Sequence, residues 1–159
     1  MARNQEHLAK AAQLMCGMRA GTLATSHLGQ PFASLVTPAL DEDSQPILLL
    51  SSLAAHTRHL RATPACALLI VGEPVDDNPQ TAPRLCLSGE AVLIPPEPAK
   101  ARYLARHPYA AQYADFGDFS FWKIIVHTVQ FVGGFGAAGR LDFAALQHEI
   151  STYEPGPQG

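Results

Sequence analysis

Charge is what this sequence has least of. Lys, Arg, Asp and Glu make up 16% of its 159 residues, and the formal net charge is −3. Nothing global draws nucleic acid or an anionic membrane to such a chain, so any anion must be held by local groups. Cysteine is scarce too: Cys16, Cys66 and Cys86 stand far apart, with no CxxC pair. That indicates neither a zinc framework nor a disulfide scaffold, and no metal site is expected. A reducing cytoplasm is the expected compartment. No run of 18 apolar residues occurs, so no membrane-spanning helix is expected. Arg3, Glu6, His7, Lys10 and Gln13 interrupt any signal-peptide core. No Ser-His-Asp or Cys-His arrangement follows from spacing alone.

What is present is apolar material: hydrophobic residues are 47% of the chain. With so little charge, part of the surface is expected to be covered, most simply by a second copy. One domain over 1–150 and a disordered tail over 151–159 are expected. Residues 4–18 read as a helix capped by Asn4, with Leu8, Ala11, Ala12, Met15 and Met18 on one face. Strands are expected over 21–25, 32–37, 47–51, 65–71, 84–94, 119–126 and 130–132. Helices are expected over 53–62, 95–106 and a short span after Asp142. The fold class is therefore mainly β with α: a six-stranded antiparallel barrel with peripheral helices.

The stretch from Ile47 to Pro64 carries the most chemistry. An apolar strand stops at Ser51-Ser52 and a helix follows, with His56, Thr57, Arg58 and His59 in its first turns. Helix starts carry unpaired N–H groups and partial positive charge, so hydroxyls and a cation there suit a phosphate. Ser51, His56, Thr57 and Arg58 are the candidate ligands. An ordinary helix capped by Ser52 accounts for the same residues. Arg84 opens the polar face of a strand and stands within reach of a ligand, or is a surface arginine. Gly134-x-Gly136-x-x-Gly139 matches the dinucleotide fingerprint in letters only, since no βαβ unit follows it. His56 and His59, three apart, are a weak signal for a metal or haem ligand. Asp115, Asp118, Phe116, Phe119, Phe121 and Trp122 read as a turn and core packing.

Seven segments then come in order: G-T-L-A-T at 21–25, P-F-A-S-L-V at 31–36, L-S-S-L-A-A-H-T-R-H-L at 50–60, P-R-L-C-L-S-G-E-A at 83–91, R-H-P-Y-A at 106–110, D-F-S-F-W at 118–122 and F-V-G-G-F-G at 131–136. This series resembles the FMN-binding split-barrel proteins of the pyridoxamine 5'-phosphate oxidase-like superfamily, and within it the haem-utilisation (HugZ-type) branch. The resemblance implies a six-stranded split β-barrel that forms a homodimer with FMN at the interface. It implies that Ala33, Ser34, Leu35 and Val36 lie along the flavin ring. Ser51, His56, Thr57 and Arg58 would take the phosphate, and Arg84 would contact the flavin. Trp122 and the G-G-F-G loop would approach from the partner subunit. Two departures matter. Ala55-His56 stand where pyridoxamine phosphate oxidases carry Arg-Lys, and no C-terminal Arg-x-His motif is present. The function implied is an FMN-dependent oxidoreductase, a flavoprotein whose small-molecule substrate is unknown. The alternative is a non-catalytic FMN- or haem-binding module.

Overall fold

The structure, a computed structural model, describes residues 1–155. The elements run α1 (Ala2–Gly17), β1 (Gly21–His27), β2 (Gln30–Val36), β3 (Ala39–Leu40), β4 (Pro46–Ser51), α2 (Ala55–Ala62), β5 (Ala65–Val71), β6 (Arg84–Leu93), α3 (Ala99–Arg106), β7 (Phe119–Val132), β8 (Ala138–Leu141) and α4 (Phe143–Thr152). Every strand pairing is antiparallel, and the strand order is β2-β1-β5-β6-β7-β4-β3, with β8 beside β7.

The expected six-stranded barrel is corrected to an open, curled half-barrel of eight strands, mainly β with peripheral helices. Two strands escaped the sequence pattern because they are short. β3 has two residues after Pro38, and β8 lies behind the glycines at 133–136. The two strands expected over 119–132 are one continuous β7. Part of the tail expected to be disordered is helical, since α4 runs to Thr152; residues 156–159 lie outside the described residues. No described helix is long and apolar enough to cross a membrane.

Burial follows the pleat. Leu23, Leu68, Leu85, Leu87 and Ile124 fill the concave side with Leu8, Ala11, Ala12 and Met15 of α1. The spacing of those four puts them on one helix face. β4 is buried on both sides. Leu48 and Leu50 join this main core, while Ile47 and Leu49 pack into a second cluster with Tyr103 and Phe121. A polar loop with Asp41 and Ser44 buried precedes β4. There Asp41 Oδ1 accepts from the N–H groups of Asp43 and Gln45, and Asp41 Oδ2 lies 3.1 Å from Lys123 Nζ on β7. Gln45 Oε1 accepts from Val126 N at 3.0 Å.

β6 and β7 change register between Ser88 and Gly89. Ser88 faces Thr128 and Gly89 faces Val126, which leaves His127 as a bulge residue. A Cβ on Gly89 would overlap the backbone carbonyl of Ile125, which cannot move without breaking the ladder. Gly89→Ala is therefore expected to lower stability by about 1–3 kcal/mol or more, as overpacking does. Urea unfolding checks it, and an unchanged midpoint refutes the close approach.

Candidate functional site

Besides the outer side of β8, the curled sheet leaves free edges at β2 and β4. β2 pairs only with β1. β4 pairs with β7 along Ile47–Ser51, but with β3 only at Pro46 and Ile47. Backbone groups of Leu48–Ser51 therefore have no ladder partner on that side. The curl brings the end of β2 opposite this edge. Between them lies a cavity of about 240 Å³ lined by Leu35, Val36, Thr37, Leu48, Leu49, Leu50, Ser51, Ala54, His56 and Phe119. We call it the seam.

Four residues expected at a ligand meet there: Leu35, Val36, Ser51 and His56. Ala33 and Ser34 are on the same strand, where Ser34 Oγ is buried with no hydrogen-bond partner. Thr57 points into the protein, 1% exposed, and its Oγ1 also lacks a partner. Trp122 is buried in the main core. Arg84 stands nine residues from Leu93 along β6, roughly 30 Å at the rise of a strand. Its guanidinium donates to the carbonyls of Gln80 and Ala82.

The start of α2 is built differently from the phosphate cradle expected of it. The helix begins at Ala55, and its N-cap is Ala54 with no side-chain cap. Ser51 donates its hydroxyl hydrogen to Asp118 Oδ2 at 2.6 Å, and Ser52 N donates to Asp118 O at 2.7 Å. Arg58 Nη1 folds back onto Leu53 O at 2.7 Å. A carboxylate thus stands at the helix start and the nearest guanidinium is engaged elsewhere, which disfavours a phosphate by like-charge repulsion. Asp118 was legible in the sequence only as part of a turn. Its tie to Ser51 spans 67 positions, a distance that no local pattern encodes.

His56 is half-buried on the seam wall. Burial, with a smaller contribution from neighbouring His59, holds its imidazole below the ordinary 6.5. His59 accepts or donates at Thr25 Oγ1, 3.0 Å away, and lies parallel to His27 with 5.5 Å between ring centroids. Among the described residues no cluster of three His, Cys, Asp or Glu side chains is placed to hold a metal ion. His107 is also held low, mainly by burial. The unfolded chain therefore binds more protons than the folded one just below pH 6.5. Stability is fully present above that value and falls as pH drops toward the folded pKa values. His56→Gln should flatten this decline as pH falls below 6.5. Urea unfolding across the range checks it, and an unaltered slope refutes a depressed His56.

Comparisons with known proteins bear on the ligand. The family described as CREG, beta-barrel, matches residues 3–149. The chloroplastic heme oxygenase HOZ of Arabidopsis thaliana is 39% identical over 146 residues, covering 89% of this chain and 44% of the plant protein. A heme binding protein from Mycobacterium smegmatis is 32% identical with a TM-score of 0.81, covering 89% of this chain and 60% of that one. Campylobacter jejuni ChuZ, 15% identical with a TM-score of 0.75 over 84% of this chain and 58% of its own, shares the fold. The chain thus spans about half the length of these relatives. The named relatives above 30% identity handle haem. That overturns FMN as the expected cofactor, and with it the flavoprotein and FMN-dependent oxidoreductase readings. The haem alternative is the better supported one. By sequence and by fold, the chain belongs to the CREG beta-barrel family, within the split-barrel superfamily that also holds the haem-utilisation proteins.

Proposed function

We propose that this chain is a haem-binding module and that the seam is where the porphyrin sits. The observation that carries the reading is the 39% identity to a heme oxygenase across 89% of the chain. The residues of the seam fit the group. Its side walls are the apolar faces of Leu35, Val36, Leu48, Leu49, Leu50 and Phe119. His56 stands among them with a neutral imidazole, the form that ligates iron. Haem would supply the iron chemistry. The protein's part would be to hold the ring, exclude water from one edge and offer the His56 nitrogen to the iron.

The cavity is smaller than the roughly 300–1,000 Å³ that encloses a whole ligand. One chain therefore grips an edge of the ring. Leu35 and Leu53, 78% and 77% exposed, and Phe116 extend apolar surface beyond the cavity. We propose that a second copy of the chain covers this surface and the outer sheet face. That face shows Leu69, Val71 and Val92 to solvent. Exposed apolar side chains collected on one side mark an association surface.

Two measurements test these readings. Titration with ferric haem should give a saturable Soret band, and His56→Ala should weaken binding by about tenfold or more, in line with the loss of an axial ligand. No Soret change with the wild type sinks the haem reading; an unaltered affinity in His56→Ala moves the ligand elsewhere. Sedimentation equilibrium should give twice the 17.0 kDa chain mass. A monomer that binds haem at full affinity contradicts the covering copy.

A further inference from the structure

Residues 37–38 join β2 to β3 without pairing to any strand, and α3 holds them instead. The buried phenol of Tyr103 lies 2.8 Å from both Thr37 O and Thr37 Oγ1. A carbonyl can only accept. The single phenol hydrogen therefore goes to Thr37 O, and the Thr37 hydroxyl donates to the phenol oxygen. Next to it, His107 Nε2 lies 2.9 Å from Pro38 O, so this nitrogen carries the hydrogen. Its Nδ1 then accepts from Tyr109 OH at 3.2 Å. The Thr37–Pro38 corner is locked from behind by two aromatic residues of one helix and its exit turn.

The consequence lies on the other side of the corner, in the seam. Thr37 Oγ1 has spent its hydrogen on Tyr103 and shows the seam only lone pairs. The same holds at Ser51. Its hydroxyl hydrogen goes to Asp118, and its oxygen accepts from Leu53 N at 3.2 Å. The two hydroxyls that line the cavity are both acceptors, and a carboxylate stands behind one of them.

We infer that Tyr103 and Asp118 fix the two seam hydroxyls as acceptors: beside the free backbone groups of β4, these side chains favour an uncharged or hydrogen-donating edge of the ligand and turn carboxylates outward to solvent. This rests on the reading of the seam as the porphyrin site. For a tetrapyrrole it means that the ring enters by its apolar edge and leaves both propionates outside. Tyr103 and Asp118 are positioning residues, since neither lines the cavity.

The test compares ferric haem with its dimethyl ester, which lacks the two carboxylates. The wild-type chain should bind both with similar affinity. Tyr103→Phe frees the Thr37 hydrogen, and Asp118→Asn removes the charge while keeping the shape. Each should shift the preference toward haem by about threefold to tenfold, the range one hydrogen bond contributes. A merely structural role for either residue would weaken both porphyrins alike and leave the ratio unmoved, which overturns the inference. So does a wild type that prefers haem over the ester tenfold or more. Inorganic phosphate decides the case in which neither porphyrin binds and the haem reading fails. It should raise the melting temperature of wild type and Ser51→Ala equally, by its general salting effect. It should raise that of Asp118→Asn further. A phosphate shift in the wild type that Ser51→Ala removes overturns the acceptor polarity by itself.

Discussion

Backbone N–H and C=O groups must find partners, and a sheet that does not close leaves some of them waiting. In this fold that constraint falls on one place. β4 has a full ladder with β7 on one side and only two residues of β3 on the other. The edge of β2 stands across from it, free along its length. The cavity exists because the two edges face each other without joining. Apolar side chains of the same strands line it. The helices serve this gap: α2 brings His56 to its wall, and α3 holds the corner that keeps β2 from swinging across.

Much of this was written locally and much was not. Strand and helix positions followed from periodicity, because long alternating runs such as Leu85–Leu87–Ala91 bury one face. β3 and β8 were illegible because a two-residue strand and a glycine-bordered one carry no period. Helix starts shifted for physical reasons. Pro95, Pro96 and Pro98 delay α3 to Ala99, and α2 begins three residues after Ser52. At the site, Ser51 and His56 were legible because a strand running into a helix places its junction residues together. Thr37, Asp118, Tyr103 and His107 were not. Their roles depend on contacts between residues 66 to 69 positions apart.

The same long-range contacts bear on the generic phosphate reading of the α2 start. Hydroxyls and an arginine at a helix start look alike in sequence whether they are free or engaged. Here Ser51 serves Asp118, and Arg58 serves the carbonyl of Leu53. Residue type sets what a side chain can do, and its partners decide what it still has to offer.

β4 raises one more point. Ile47, Leu48, Leu49 and Leu50 alternate between two cores, so both faces of the strand are aliphatic. A slip of one residue along β7 would exchange leucine for leucine and leave the hydrophobic pattern almost unchanged. Most half-buried strands are protected from such a slip because it would turn polar residues inward. This strand lacks that protection, and its alignment falls to the polar loop before it. Asp41 ion-paired with Lys123, and Gln45 Oε1 accepting from Val126 N, act as an index mark against which four interchangeable side chains are read.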